Sequence, residues 1–311
     1  MANLLGMRIK EIRERLGLSQ IAACEEICSQ AYISKIENGN VFPSADIILK
    51  LADRFSIDIS YLLDISNTPR HDYVIEFFVQ IRESIYLRDY NSIQQLLRAE
   101  KGNKLFEDAK YKQFFLWHEG ICHYEKDNDL DQAIKCFDQA LSLTSKNKKF
   151  YSEREIEILI SKGNILTDNK QYEVAKKTYK EALYHLESLL NIGNLFIPIR
   201  LYYNFARLLR YCELYEDAVV YCDKGIKTCQ KNNLLYLKGD LYFQRGYCYK
   251  RLKNVPVAHD SFRLAEMVYY IEGKEKSLEM VKNIVSKLYN IWWSISRKIC
   301  RRNPTSIFSN I

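Results

Sequence analysis

Between Leu18 and Gly39, six side chains have the chemistry to read the edges of nucleic-acid bases. They are Gln20, Gln30, Ala31, Tyr32, Ser34 and Lys35. A carboxamide donates and accepts at once, so a glutamine matches the paired donor and acceptor that adenine shows in the major groove. Short side chains such as Ala31 and Ser34 let a helix approach closely, and Lys35 suits a phosphate or a guanine edge. A second set of amides recurs at 40-residue intervals: Asn164, Asn204 and Gln244. A polypeptide backbone needs both donors and acceptors, which such amides supply. No catalytic constellation accompanies either set. The five histidines, His71, His118, His123, His185 and His259, are scattered, and no His-Glu-x-x-His, P-loop or dinucleotide fingerprint occurs. We therefore expect no enzyme, no cofactor and no metal. His118 and His123 read as groove or packing residues.

The first set needs a particular frame. Ser19 is a good N-cap for a short helix, leaving Gln20 exposed at its start. A turn near Cys28-Ser29 launches a second helix whose N-terminal face carries Gln30 to Lys35, while Ile33 and Ile36 point into a small core. Asn38-Gly39 stops it, since both residues tolerate the left-handed conformation. Pro43-Ser44 opens the next helix, and an amphipathic run extends to Phe55. This layout is similar to a phage-repressor-type helix-turn-helix, so sequence-specific DNA binding is expected, with a five-helix domain over residues 1–68. Bulk charge does not signal it. Residues 1–68 hold seven Lys/Arg and nine Asp/Glu, a net of −2, whereas the remainder has a net of +9. Local clustering matters more. Arg8, Lys10, Arg13 and Arg15 crowd the first helix, where they would face phosphates, and Arg13 is counted among the DNA contacts.

The second set belongs to a repeat. Ala133-x3-Phe137-x2-Ala140 recurs as Ala175/Tyr179/Ala182, Ala218/Cys222/Gly225 and Ala258/Phe262/Ala265, with a weaker copy at Ile93/Leu97/Glu100. The steps are 40, 42, 43 and 40 residues. Gly163, Ala206 and Gly246 stand twelve residues ahead of three anchors, and Gly120 thirteen ahead of Ala133. Small residues allow two helices to approach, and the aromatic is expected to fill the groove between adjacent hairpins. Such hairpins bury their apolar faces only by stacking. The pattern resembles tetratricopeptide repeats: an all-α, right-handed superhelix of five hairpins over residues 76–311, joined by a linker at 69–75. Its last segment, about 275–300 with Trp292 and Trp293, reads as a capping helix. Counting from the small residues, the first helix of each hairpin directs Trp117, Asn164, Arg200, Tyr203, Asn204, Arg207, Phe243, Gln244 and Tyr247 inward. Aromatics, arginines and amides together suit a short peptide.

Composition agrees. The 311 residues are 47% hydrophobic and 27% charged, with only 5 Pro and 11 Gly, which suits a mostly helical globular chain. No apolar stretch approaches membrane-span length and no signal peptide is visible, so a cytoplasmic protein without membrane contact is expected. The nine cysteines, none in a Cys-x-x-Cys pair, should then be reduced. Cys24 and Cys28, one helical turn apart, leave thiol-redox sensing as an alternative.

A repressor-type helix-turn-helix followed by tetratricopeptide-like hairpins resembles the RRNPP family of peptide-sensing regulators of Gram-positive bacteria. The resemblance spans nearly the whole chain and is close at Glu26 to Gln30, Ile36 to Gly39, Pro43 to Ile47, Tyr203-Asn204 and Leu241 to Gly246. It implies a homodimeric transcription factor that reads an inverted repeat in double-stranded DNA through Gln30 to Lys35. It also implies a short signalling peptide in the repeat domain, as in quorum sensing, with backbone contacts from Asn164, Asn204 and Gln244. Family members place basic residues in the first hairpin near the peptide, and Arg88 is the matching residue here. The Rap branch of the same group, adaptors that modulate phosphatases through protein contacts, is the other alternative. The basic Arg297-Lys298 and Arg301-Arg302 lie in a C-terminal extension.

Overall fold

The computed structural model describes residues 4–59, 62, 71–145 and 149–286. Every element among them is helical. The chain forms two compact units, Met1–Phe115 and Leu116–Ile311.

The first unit opens with α1 (Leu4–Arg15), α2 (Gln20–Cys24), α3 (Gln30–Glu37) and α4 (Ala45–Arg54). Ser19 and Ser29 cap α2 and α3: their hydroxyls accept from the amides of Ala22 at 3.1 Å and Tyr32 at 3.2 Å. Asn38 keeps a right-handed backbone, and Gly39 alone takes the left-handed turn at φ 74°. Leu5, Ile9, Ile33, Ile36 and Leu51 are fully buried and form the core with Ile48 and Phe55. Of the expected fifth helix, residues 59 and 62 are described, and both are helical. One contact sets the spacing of α1 and α3. A Cβ on Gly6 would lie 1.8 Å from the Ile36 carbonyl oxygen, so only glycine permits this crossing.

The first hairpin, α5 (His71–Leu87) and α6 (Tyr90–Ala99), belongs to the same unit. Its α5 begins inside the segment expected to be a linker. Phe77 and Phe78 pack against Phe114, with ring centroids 6.3 and 4.3 Å apart. The remaining hairpins follow in pairs. They are α7 (Ala109–Glu125) with α8 (Leu130–Ser145), α9 (Glu153–Asp168) with α10 (Tyr172–Glu187), α11 (Phe196–Tyr211) with α12 (Tyr215–Lys231), and α13 (Lys238–Arg251) with α14 (Val255–Ile271). A further helical stretch at 275–286 packs on the last pair. The rest of the expected capping helix, with Trp292 and Trp293, and the basic extension lie outside the described residues.

All five hairpins turn through a left-handed residue. Arg88, Asn128, Lys170, Glu213 and Lys253 each adopt positive φ, between 53° and 62°, and each lies five residues before its repeat anchor. In four of them the next amide reaches back to a carbonyl five residues earlier, as in Asp89 to Ser84 at 2.8 Å, Gln171 to Leu166 at 2.9 Å and Asn254 to Tyr249 at 2.9 Å, while in the second hairpin Asp129 reaches His123, six residues earlier, at 2.9 Å. The five-residue form is a Schellman closure made without glycine. Asp89, Asp129 and Asn254 then cap the second helix with their side chains. The weak first copy at Ile93 is thus a true repeat.

The small anchors meet aromatics of their own hairpin, not of the groove between hairpins. A Cβ on Gly120, Gly163 or Gly246 would come within 2.7, 2.6 or 3.0 Å of the rings of Phe137, Tyr179 and Phe262. In the fourth hairpin Cys222 replaces the ring, and the partner position holds Ala206 instead of glycine. The rings still reach onward, since Tyr179 lies 5.7 Å from Phe205 of the next hairpin.

Two expectations follow. Gly→Ala within a helix ordinarily stabilises by up to about 1 kcal/mol. Gly6→Ala should instead destabilise the first unit by about 1–3 kcal/mol through overpacking, read as a lower denaturation midpoint. His185 is buried, its Nδ1 accepts the Tyr151 amide at 3.3 Å, and burial lowers its pKa below 6.5, against the opposing pull of Glu181 and Glu155. The unfolded chain therefore takes up a proton before the folded chain does. Stability should fall as pH drops through the range below 6.5, and His185→Gln should flatten that slope in pH-dependent melts.

Candidate DNA-reading and ligand-binding faces

The α3 face is held from behind by a buried carboxylate. Glu37, at the end of α3, is 3% exposed. Arg13 of α1 donates from Nε to Oε1 at 2.6 Å and from Nη2 to Oε2 at 3.0 Å, and its Nη1 donates to the Leu18 carbonyl at 2.8 Å. Gln20 donates from Nε2 to the same Oε2 at 2.8 Å, and Gln30 donates from Nε2 to Gln20 Oε1 at 2.8 Å. A carboxylate only accepts, so it turns the Gln20 amide nitrogen inward and its oxygen outward. That oxygen in turn fixes Gln30, which keeps Oε1 and one N–H free of these bonds.

Gln30, Ala31 and Lys35 are exposed, while Gln20, Tyr32 and Ser34 are half-buried. Five of these share the face of α3, and Gln20 supports it from α2. Arg13 has a different place from the phosphate-facing one expected. It is 8% exposed, and its guanidinium fork is closed on Glu37. Its hydrogen bond to Glu37 raises its pKa further. Lys10 and Arg15 remain exposed on α1. Arg54 clamps the end of α2, donating to the Ala22 and Glu25 carbonyls at 2.7 and 2.8 Å. The Glu37 anchor and the Arg54 clamp were not singled out in the sequence. A charged Glu-Asn-Gly helix end was the available signal for the former.

In the second unit, polar contacts lace the first helices of successive hairpins together. Trp117 Nε1 donates to Ser161 Oγ at 2.9 Å, and Asn169 Nδ2 to Tyr124 Oη at 2.9 Å. Arg200 pairs with Glu157 through Nη2, and Arg207 Nη2 with Asp168 at 3.3 Å. Arg200, Tyr203, Asn204 and Arg207 lie at helical spacing on α11, so they share one face. The three amides have unequal roles. Asn164 Oδ1 accepts from Tyr179 Oη at 2.7 Å. Gln244, 4% exposed, donates to the Tyr203 carbonyl and accepts from Arg210 Nε, each at 3.1 Å, so both ends tie α13 to α11. Asn204, 6% exposed, makes no side-chain hydrogen bond among the described residues. Its neighbour Tyr203 has its phenol pKa raised by burial. Arg210, unremarked in the sequence, stacks over the rings of Tyr211 and Tyr247 at 4.6 and 4.9 Å. Phe243 is half-buried against Phe262, 5.6 Å away. Arg88 lies in the first unit, exposed in the α5–α6 turn.

Thiol chemistry finds little support. Cys24 is buried, and burial pushes the Cys28 thiol up, which keeps it protonated. Among the described residues no group of His, Cys, Asp or Glu has the arrangement of a metal site, and no helix is long and apolar enough to cross a membrane.

Residues 9–62 match a helix-turn-helix family, and residues 78–288 match the RNPP family C-terminal domain. No curated protein matches the chain by sequence. Among solved structures, Bacillus thuringiensis PlcR in complex with the peptide PapR7 and DNA is similar at 24% identity and a TM-score of 0.79, covering 90% of this chain and 99% of that one. ComR from S. thermophilus, in complex with DNA and its signalling peptide ComS, is similar at 18% identity and 0.60, covering 91% and 99%. The SHP pheromone receptor Rgg2 of Streptococcus dysgalactiae is similar at 15% and 0.62, again covering 91% and 99%. At these identities the likeness is one of fold.

The two ends of the glutamine chain should respond differently to substitution. Glu37→Gln leaves the Arg13 charge buried without its partner and should cost about 3–5 kcal/mol of stability, read by chemical denaturation. Gln30→Ala should leave the melt unchanged and cost about 1–3 kcal/mol on a cognate site, with a smaller loss on random DNA. Equal loss on both DNAs would remove Gln30 from base reading.

Proposed function

The chain belongs to the RNPP family, and from that premise we propose that it is a cytoplasmic, homodimeric transcription regulator controlled by a short signalling peptide. In this reading residues 1–68 bind DNA and residues 76–311 bind the peptide. Gln30, Ala31, Tyr32, Ser34 and Lys35 read an inverted repeat, with Gln20 as a support and Arg13 as the buried anchor. Two of the similar structures hold DNA and a peptide together, in ComR a signalling peptide, which supports the same pairing of ligands here. The chain acts by binding and carries out no reaction.

The observation that carries the peptide reading is the state of Asn204. It is a nearly buried amide with no side-chain partner, flanked on its helix by Arg200, Tyr203 and Arg207. An extended peptide of five to eight residues, at about 3.3 Å per residue, would cross several hairpins and bring unpaired backbone groups past this amide. Asn164 and Gln244 flank it on the neighbouring first helices, with Trp117, Phe243 and Tyr247 as apolar contacts. Arg88 is assigned to the peptide on the family resemblance. Gln244 is already engaged at both ends, so its main work is to hold α13 against α11. Regulation then shifts the dimer between arrangements that space its two recognition helices productively or not.

Calorimetry with synthetic peptides encoded by small open reading frames beside the gene tests this. Asn204→Ala should keep the melt and the basal DNA affinity while weakening peptide binding by about 1–3 kcal/mol. Gln244→Ala should lower stability as well, by separating α11 from α13. Unchanged peptide affinity in Asn204→Ala would remove that residue from the site.

A further inference from the structure

The outward face of the last second helix breaks the rule kept by its predecessors. On α12, the residues 6, 9, 12 and 13 positions after the anchor Ala218 are Lys224, Lys227, Gln230 and Lys231, all exposed. On α10 the corresponding residues are Glu181, Tyr184, Glu187 and Ser188. On α14 they are Leu264, Met267, Tyr270 and Ile271, which are 39%, 52%, 74% and 66% exposed. A surface that elsewhere tolerates lysine has become apolar over almost two turns. Met280, 45% exposed, lies on the helical stretch that follows. A groove of about 200 Å³ opens between Arg263, Glu266, Met267, Tyr270, Leu278 and Lys282.

From this we infer that the α14 face, centred on Met267 and Ile271, is where a second copy of the chain docks. The inference rests on the homodimer proposed above and names its surface. A two-fold interface requires a patch that is complementary to itself. This patch carries both protruding apolar side chains and the groove that would receive them. It is also complementary in charge. Arg263, Glu266 and Lys282 make no ion pair among the described residues, so both signs stand unpaired beside the apolar stripe. The exposed apolar residues offer on the order of 500 Å² per protomer, against about 800 Å² per partner in a standard interface, and the charged rim supplies the remainder.

Analytical ultracentrifugation of the full chain tests the assignment, using Met267→Lys with Ile271→Lys. Lysine occupies both equivalent positions on α12, so the fold should hold, as checked by an unchanged melt. Tyr184→Lys, at the α10 position equivalent to Met267, is the control. The expected result is a dimer for wild type and control, and a dimer dissociation constant raised at least ~10-fold in the double variant. In the unmutated chain, peroxide oxidation of Met267, followed by mass spectrometry with Met7 as reference, should slow as concentration rises. A double variant as dimeric as wild type, or oxidation independent of concentration in a dimeric wild type, would overturn the α14 assignment and leave the homodimer standing. A wild type that is monomeric throughout would overturn both. If Met267 is protected in that monomer until the chain is cut after residue 286, the face belongs to residues 287–311.

Discussion

Helix spacing in both units depends on side chains that are missing. At Gly6 the α1 backbone passes so close to α3 that a methyl group would overlap the Ile36 carbonyl. At Gly120, Gly163 and Gly246 the same economy lets an aromatic ring lie flat against the facing helix. The fourth hairpin shows that the constraint is one of summed volume. There a cysteine replaces the ring and an alanine the glycine, Cys222 opposite Ala206. Close packing at interior density makes such trades compulsory. In the first unit the crossing fixes α3 relative to α1, and with it the distance across which Arg13 reaches Glu37. In the second, it fixes the pitch at which successive first helices present their polar side chains.

On those spacings rest two polar systems of opposite design. The chain from Arg13 through Glu37 and Gln20 to Gln30 is saturated at its buried end and open at its exposed end. Its orientation is dictated by a carboxylate that cannot donate, so the outermost amide presents its free atoms already set. Preorganisation of this kind reduces the ordering cost of binding. The α9–α11–α13 face is tied at its flanks, through Glu157–Arg200 and Arg210–Gln244, and keeps free groups at its centre: among the described residues the Asn204 amide makes no side-chain hydrogen bond, and the buried Nε atoms of Arg200 and Arg207 have no partner. A ligand that supplies backbone acceptors gains most at that point, because a buried donor without a partner, such as Arg200 Nε or Arg207 Nε, is costly to leave unpaired.

Much of this was legible in the chain. Ser19 and Gly39 mark helix ends by local chemistry, and they cap α2 and close α3 as read, while Ser29, read as part of a turn, is the cap of α3. The repeat was visible because its packing rule acts on residue size at fixed spacing. What escaped depends on partners distant in sequence. Arg13 looks like a phosphate contact, since its cluster is basic, yet it is claimed by Glu37, 24 residues away. Gln244 and Asn204 look alike as amides, and only the packing of α11 against α13 shows that one is occupied and the other is not. The hairpin turns escaped because the left-handed position carries no glycine. Arg, Asn, Lys, Glu and Lys stand there, and the constraint shows only in the backbone.

The central claim is that one molecule couples a base-reading helix to a peptide-binding helical stack. Purified protein incubated with fragmented genomic DNA from its own source, with and without the small-peptide fraction of spent culture medium, tests that coupling most directly when the recovered fragments are sequenced. The account predicts that the fragments share an inverted repeat and that their recovery changes severalfold with the peptide fraction. Fragments with no common sequence, or a shared site whose recovery is indifferent to the peptide fraction at every concentration, would contradict it.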